Sequence, residues 1–404
     1  MSTRATLASR YADVIVRVGV NVQPGQRVVV RGLVDHVDLV RAVAESAYAA
    51  GAERVDALLD DQHVRRSGIA HGASSALAQG TLTELAALER IEQEPEATVL
   101  VRLTGNPEPH LFDDLDAGAV VAAQPADLAR RTRAALLGGR LRWTVVAAPN
   151  PGWATAVFGQ PDVDRLWEAV GTAVRLDEPD PVADWQEHVE RLRRRSAAVE
   201  AAGLDALHYS GPGTDLVVGL HPGGRWVGGA VSTEDGLSHV PNLPTEEVFS
   251  SPDPTRADGV IAVTRPLVMP STGIVVEGLR LRFEGGRIVD AEADRGTDAV
   301  RAELDTDAGS RRLGEVALVD RESRVRRAGQ VFHDTLYDEN AGAHVAWGLA
   351  FAMCLPEGGT PEMLNSSAVH TDVVVGGPGV SITGVTVDGR HVPLIEDDLW
   401  ALPA

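Results

Sequence analysis

Short apolar runs alternate with amphipathic segments of helical length through the first half of the chain. Residues 28–30 form the first apolar run, and residues 39–50 have the periodicity of a helix that ends before Gly51. Residues 54–59 form the next apolar run. A strand, a helix and a second strand at this spacing are typical of a parallel βαβ unit. The alternation therefore predicts an α/β fold for this half.

The same alternation continues to about residue 170 and defines a first domain. Further helices are predicted at residues 5–20, 82–91, 125–137 and 161–170, and further strands at residues 97–103 and 141–147. The acidic, proline-rich stretch LDEPDPVA at residues 176–183 marks a boundary. Residues 1–183 are thus predicted to form an α/β domain with a mainly parallel sheet. No G-x-G-x-x-G or Walker-A sequence follows its first strand, which argues against a nucleotide-binding domain and favours a structural or substrate-enclosing one. We interpret it as the domain that encloses the substrate chamber.

The second half consists of short β-rich segments separated by glycine turns. Strands are predicted at residues 206–209, 216–220, 260–264, 274–283, 287–292, 367–375 and 381–387, and helices at residues 185–201, 297–305 and 341–351. Gly285-Gly286 and Asp388-Gly389 are typical of hairpin turns. Residues 184–404 are therefore predicted to form an α+β domain, in which the helix at residues 341–351 carries His344.

Composition excludes several classes of partner. The net charge is -21 and the pI is about 4.9, so the surface repels nucleic acid phosphates. No apolar run approaches the roughly 20 residues of a membrane span, and the N-terminus lacks a secretory signal. A cytoplasmic protein without membrane contact is predicted. Cys354 is the only cysteine, which excludes an intrachain disulfide and a cysteine-based zinc knuckle.

The segment from Leu313 to Pro378 concentrates side chains that bind divalent metals. Its candidate ligands are Glu315, Glu339, His344, His370 and Asp372. His370 and Asp372 begin a predicted strand, where a period of two puts both on one face. Glu315 lies in apolar surroundings, where a carboxylate has to be paired or to bind a cation. Carboxylates and imidazoles together are a common ligand set for divalent metals.

Each of these residues also has a simpler interpretation. His344 could be a hydrogen-bonded core histidine, Glu339 a helix cap, and His370 with Asp372 a surface pair. An acidic pair, Glu246-Glu247, lies upstream in PNLPTEEVFSSP. Glu246 is predicted to lie in a solvated turn, whereas Glu247 precedes Val248-Phe249 and is expected to point inward.

Four sequence blocks together resemble the signature blocks of a known family. PNLPTEEVFSSP, RRLGEVALV, LYDENAGAHVAWG and SAVHTDVVVGGP are similar, in this order, to those of the aminopeptidase T and aminopeptidase S (PepS) type of two-metal leucyl aminopeptidases. The resemblance implies two domains, a homodimer that encloses its active sites, a peptide or small amide substrate, and release of N-terminal amino acids.

The resemblance also implies a site with two divalent ions per subunit, which Zn, Co, Mn or Mg would suit. The implied metal ligands are Glu247, Glu315, Glu339, His344, His370 and Asp372. Glu315, as a carboxylate bridging both ions, and Glu339 are the implied catalytic residues. The expected chemistry is peptide hydrolysis by a water that both ions activate.

One position departs from the family pattern, and two other functions stay open. The family has a tyrosine seven residues after the histidine, where this chain has Phe351. Tyr209 and Tyr337 are the other candidates for supplying a hydroxyl. Loss of the hydroxyl favours a specialised or inactive homologue. His344, His370 and Asp372 alone would form the triad of a ring-cleaving non-haem iron dioxygenase, a reading against which the three additional glutamates argue.

Overall fold

A computed structural model describes residues 3–269 and 272–403 of the chain. The chain forms two compact units. The first contains residues up to Gln186 together with Ala230–Leu243, and the second contains Glu187–Gly229 together with the residues from Pro244 onward. Within the described ranges, no helix is long and apolar enough to cross a membrane.

The first unit is built on a parallel sheet. Its strands are β1 (Arg27–Leu33), β2 (Arg54–Asp60), β3 (Thr98–Thr104), β4 (Arg142–Ala147) and the two-residue strand Asn242–Leu243, with a separate short pair of Val231–Ser232 and Ser238–His239. The order in the sheet is Asn242–Leu243, β4, β3, β1, β2, and every neighbouring pair runs parallel. Val28, Val29 and Val30 of the central strand are all buried, as in sheets covered on both faces. The predicted parallel sheet is confirmed.

Side chains cap the start of several helices in the first half. The helices are α1 (Thr3–Val14, continued by the π-helical turn Ile15–Gly19), α2 (Val37–Ala49, after a 3-10 turn at Val34–His36), α3 (Gln62–Ala70), α4 (Ser74–Leu77), α5 (Leu82–Gln93), α6 (Ala117–Ala122), α7 (Ala126–Leu137), α8 (Pro151–Phe158), α9 (Val163–Ala173) and α10 (Pro181–Ala201). Of these, α3, α5, α6, α8 and α9 begin at a residue whose side chain caps them. At the start of α5, Thr81 accepts from the Glu84 amide at 3.2 Å, and Glu84 accepts from the Thr81 amide at 2.8 Å. Helices are present at all the positions predicted for them in this half.

A buried histidine makes the first unit sensitive to acid. His239 is 3% exposed, and neither ring nitrogen has a hydrogen-bond partner among the described residues. Burial, together with the nearby charge of Arg142, lowers the pKa of His239 to about 4. Between pH 6.5 and pH 4, His239 is therefore protonated in the unfolded chain and neutral in the folded chain. Stability from this group is complete above the unfolded pKa and is lost as the pH falls.

We expect His239→Leu to weaken the acid sensitivity of folding. The shift corresponds to about 2 kcal/mol of unfolding free energy between pH 8 and pH 5. The gap between the unfolding free energies at these two pH values, measured in urea, should shrink by about that amount in the variant. His110→Leu, which replaces an exposed histidine, is the matched control. If the gap is unchanged in His239→Leu, His239 is not the cause of the acid sensitivity.

The second unit contains two antiparallel sheets. Its longer strands are β5 (Leu204–Gly211), β6 (Thr214–Leu220), β7 (Val248–Ser250), β8 (Pro252–Ala262), β9 (Arg280–Glu284), β10 (Arg287–Glu292), β11 (Leu313–Leu318), β12 (His344–Gly348), β13 (His370–Val374), β14 (Ser381–Thr386) and β15 (His391–Glu396), and its two-residue strands are Val227–Gly228, Leu267–Val268, Val275–Val276 and Leu399–Trp400. The larger sheet has the order β10-β9-β8-β6-β5-β14-β15 followed by Leu399–Trp400, and the smaller has β13-β12-β11-β7 followed by Val227–Gly228. Side chains of both sheets share one hydrophobic core.

Few helices accompany these sheets. They are residues 187–201 of α10, α11 (Thr297–Leu304), α12 (Arg324–Arg327), α13 (Thr335–Asp338) and the 3-10 turns Glu339–Ala341, Ala352–Cys354 and Pro361–Met363. The hairpin predicted at Gly285-Gly286 joins β9 to β10, and both glycines have positive φ, 54° and 79°. The hairpin predicted at Asp388-Gly389 joins β14 to β15.

Two predicted elements of the second half are wrong. The helix predicted at residues 341–351 is instead the strand β12, His344–Gly348, in the middle of the smaller sheet. All five of its residues are buried, so its sequence is apolar on both faces and has no strand alternation. The single strand predicted at residues 274–283 is interrupted, because Gly278 has a φ of 64° between Val275–Val276 and β9.

Candidate metal centre

One face of the smaller sheet collects the candidate ligands. Glu315 of β11 pairs with Ala346 of β12, and Ala346 pairs with Asp372 of β13. Directly paired residues share a face, and so do residues two apart on one strand. His344 and His370 therefore lie on the same face as Glu315 and Asp372. The small side chain of Ala346, between Glu315 and Asp372, leaves space among them.

The opposite face of the same strands belongs to the hydrophobic core. Val316, Val345, Trp347 and Val373 alternate with the candidate ligands and are all buried there. Because these apolar residues pack in the core, they hold each strand in place with its candidate ligands on the opposite face. The inward orientation of Glu247 follows from the same pairing, because β7, which it precedes, pairs with β11.

The ligand atoms fall into two groups that share Glu315. One group contains Glu247, Glu315 and His344, and the other contains Glu315, His370 and Asp372; within each group the atoms lie within 4.8 Å of one another. The contacts are His344 Nε2 to Glu247 Oε2 at 3.0 Å, His370 Nε2 to Glu315 Oε2 at 3.2 Å and His370 Nε2 to Asp372 Oδ1 at 3.5 Å. A side chain common to two adjoining groups has the position of a bridging ligand.

Backbone carbonyls orient both imidazoles. His344 Nδ1 lies 3.2 Å from the Gly342 carbonyl oxygen, and His370 Nδ1 lies 2.8 Å from that of Leu349. A proton on Nδ1 satisfies each carbonyl and leaves the lone pair of Nε2 directed at the carboxylates. This is the tautomer that a histidine needs in order to bind a metal through Nε2.

The electrostatics of the cluster favour a cation. Burial, opposed by the hydrogen bond to His370 and reinforced by the charge of Glu247, raises the pKa of Glu315 to about 7. Burial alone would lower the pKa of His344, but the hydrogen bond to Glu247 and the charges of Glu247, Asp372 and Glu315 together outweigh it and raise the pKa to about 9. Without ions, the two imidazoles therefore tend to bind protons that balance part of the negative charge of the acids. Bound divalent ions would supply positive charge in place of these protons, so the residues present fit a metal centre.

Glu339 lies beside these groups without belonging to either. It occupies the 3-10 turn Glu339–Ala341, is partly buried, and its carboxyl hydrogen-bonds with Asp372. Burial and the charge of Asp372 raise the pKa of Glu339 well above its ordinary value. The structure thus brings five predicted ligands into two groups, with Glu339 next to them.

Glu246 is not in a solvated turn, and that prediction is wrong. Glu246 is 5% exposed, its carboxylate accepts from the Arg324 amide at 3.2 Å, and its Oε2 lies 3.6 Å from His188 Nε2. Its own amide donates to Asn340 Oδ1 at 2.7 Å. Glu246 and Asn340 therefore join the two chain segments that carry Glu247 and Glu339. In the sequence, these roles of Glu246 and Asn340 were indicated only by their positions next to the candidate ligands Glu247 and Glu339.

An aromatic cluster covers one side of the site. The Phe351 ring centroid lies 5.0 Å from that of His370 and 5.7 Å from that of Phe249. The two tyrosines considered as alternative hydroxyl donors, Tyr209 and Tyr337, are both 0% exposed. Neither hydroxyl is open to a substrate in this structure. Neither tyrosine therefore takes the place of the hydroxyl that the family has at the position of Phe351.

Known proteins resemble the chain over nearly its whole length. The family described as thermophilic metalloprotease (M29) matches residues 5–400. Aminopeptidase T of Thermus aquaticus is 39% identical, covering 98% of this chain and 98% of that protein. Aminopeptidase 2 of Geobacillus stearothermophilus is 34% identical, covering 97% of each.

Two solved structures are similar to the fold. The structure of wild-type AmpT from Thermus thermophilus has a TM-score of 0.90 and 36% identity, covering 98% of this chain and 99% of that one. A 2,5-dihydroxypyridine dioxygenase from Pseudomonas putida has a TM-score of 0.55 and 14% identity, covering 99% and 97%. The second similarity concerns the fold alone.

Proposed function

Because the chain belongs to the M29 family of metalloproteases and is a metal-dependent aminopeptidase, we propose that Glu315 bridges two divalent ions in its active site. The observation that carries the proposal is the pair of ligand groups that meet at Glu315. Glu247 and His344 would complete one ion site, and His370 and Asp372 the other. Zn, Co, Mn and Mg all suit this set of oxygen and imidazole ligands.

The residues of the centre have different proposed roles in peptide hydrolysis. Two bound ions would lower the pKa of a shared water and polarise the scissile carbonyl. Glu315 holds the two ion sites together. Glu339, adjacent to Asp372 and partly open, is proposed as the last ligand and as the acceptor of the water's proton. With ions bound, each histidine would keep its proton on Nδ1, where it donates to the carbonyl of Gly342 or Leu349, and would offer the lone pair of Nε2 to the metal.

The wider setting of the reaction stays a prediction from the family resemblance. The substrate is proposed to be a peptide or small amide with a free N-terminus. The α/β domain of residues 1–183 is proposed to enclose the substrate, and residues 184–404 to form the catalytic domain. A homodimer and a cytoplasmic location complete the proposal.

Metal removal tests the dinuclear centre directly. We expect dialysis against a chelator to reduce hydrolysis of L-leucyl-7-amido-4-methylcoumarin to background. Titration with Zn, Co, Mn or Mg should restore the rate, with an end point of two ions per chain. Metal content measured by mass spectrometry provides the stoichiometry independently.

Other outcomes would replace this mechanism. One iron per chain with oxygen consumption would favour a dioxygenase built on His344, His370 and Asp372. The likeness that suggests it is limited to the fold at 14% identity, and Glu247 and Glu315 fall within the same cluster. A folded protein without metal or turnover would indicate an inactive homologue.

A further inference from the structure

A pocket in the second unit adjoins the candidate metal centre. It encloses about 300 Å³ including its open mouth, and Glu339 and Asp372 form part of its wall. Asp372 belongs to one of the two ligand groups, so a substrate held there has this pocket beside it.

Most of the remaining wall is apolar, and the polar residues in it are Arg265, Thr335 and Asp338. Val263, Leu267 and Val373 are among the apolar residues, and Arg265 lies between the first two in sequence. Aliphatic walls favour apolar side chains such as leucine. The Arg265 cation on the same wall adds a preference for negatively charged groups, which aliphatic residues cannot provide.

Within the part of the chain that the structure describes, no carboxylate lies within 4.0 Å of the Arg265 guanidinium, although Asp338 and Asp398 attract it from farther away. Its Nη1 donates to the Gln330 carbonyl oxygen at 3.3 Å, and the pocket's own acid, Asp338, is engaged elsewhere. Asp338 Oδ1 accepts from the Phe332 amide at 2.8 Å and Oδ2 from the Asp334 amide at 3.3 Å. Burial lowers the pKa of Arg265, so this charge is poorly solvated as well.

We propose that this pocket receives the side chain of the N-terminal residue being released, and that Arg265 is a specificity-determining residue that admits acidic side chains. Glutamate has the length to bring a carboxylate to the guanidinium while its methylene groups contact the valines. Charge-assisted hydrogen bonds of this kind are stronger than neutral ones, and an arginine fork matches a carboxylate. Lysine side chains are disfavoured by the same charge. The inference rests on the proposed aminopeptidase function and names part of its substrate class.

The test compares substrates that differ only in the released residue. The metal-loaded protein is assayed with L-glutamyl-, L-leucyl- and L-lysyl-7-amido-4-methylcoumarin. Arg265→Met, which keeps an apolar stem, should lower the ratio of kcat/KM for glutamyl over leucyl substrate by about tenfold. Arg265→Lys should lower it less. Arg280→Met, which removes an exposed arginine outside the pocket, is the matched control and should leave the ratio unchanged.

Three results would overturn the proposal. Equal losses for both substrates in Arg265→Met would assign Arg265 a structural role, and no change in the ratio would exclude the contact. If Arg265→Met slows hydrolysis of leucyl-glycine but not of its C-terminal amide, and leaves the coumarin ratio unchanged, the guanidinium binds the substrate's terminal carboxylate and not the side chain. Melting temperatures of the variants show whether each is folded.

A binding measurement separates this proposal from the proposed function. Calorimetric titration with free L-glutamate and L-leucine requires the pocket and the ions but no turnover. Weaker glutamate binding in Arg265→Met, with hydrolysis absent in every protein, would support the pocket and refute the peptidase. If leucyl hydrolysis depends on metal but glutamate binding does not depend on Arg265, the result would support the peptidase and refute the pocket.

Discussion

Glu315→Gln should reduce kcat/KM for leucyl-7-amido-4-methylcoumarin by about a thousandfold, because the bridge between the two ion sites is lost. Glutamine keeps the size of the side chain but offers one neutral oxygen in place of two charged ones. The metal content should fall to one ion per chain or fewer. Steady-state kinetics and metal analysis of the same preparation provide both readouts.

Two controls separate loss of the centre from loss of the fold. Glu362→Gln makes the same change at an exposed glutamate and should leave both readouts unchanged. In the metal-free protein at pH 8, Glu315→Gln removes a buried acid whose pKa burial raises to about 7, so unfolding in urea should not become easier. A variant that retains two ions and a full rate would contradict the bridging role.

Phe351→Tyr should raise kcat for simple leucyl substrates by about a hundredfold if the missing hydroxyl limits the reaction. The ring lies 5.0 Å from that of His370, so a phenolic hydroxyl would be introduced beside a candidate ligand. A hydrogen-bond donor there would stabilise the negative charge that develops on the substrate oxygen. The measurement is kcat at saturating substrate with both ions restored.

Phe158→Tyr, in α8 of the first unit, is the matched control for an added phenol. An unchanged kcat in Phe351→Tyr would mean that this protein does not depend on a hydroxyl at that position. Screening amides and modified peptides as substrates would then be the way to find a specialised activity. A fall in kcat with a lower melting temperature would show that the packing against Phe249 does not admit the oxygen.

Local patterns in the sequence were sufficient for the first unit. Its valine-rich strands and capped helices alternate at the spacing that βαβ connections require, so neighbouring residues carry most of the information. The two-residue strand Asn242–Leu243 had no such pattern. It joins β4 from nearly a hundred residues away, and only the folded structure reveals the pairing.

The candidate site was harder to predict because its environment comes from distant segments. His344 was expected on a helix, since a strand buried on both faces has no alternating pattern. Glu246 was expected in solvent, whereas His188 and the Arg324 amide surround its carboxylate. Five candidate ligands came from the residues of the segment Leu313–Pro378, and the family resemblance added Glu247 as the sixth. Their common face required the register of the sheet.

The shared face of β11, β12 and β13 has a consequence for how the chain folds. A slip of one residue between these strands would exchange their faces, burying the charged side chains in the core and exposing Val316, Val345 and Trp347. Such a misaligned sheet would combine unpaired buried charge with lost apolar burial, which makes it a poor competitor during folding. The candidate ligand residues thus also disfavour misaligned pairing of these strands before any ion is bound.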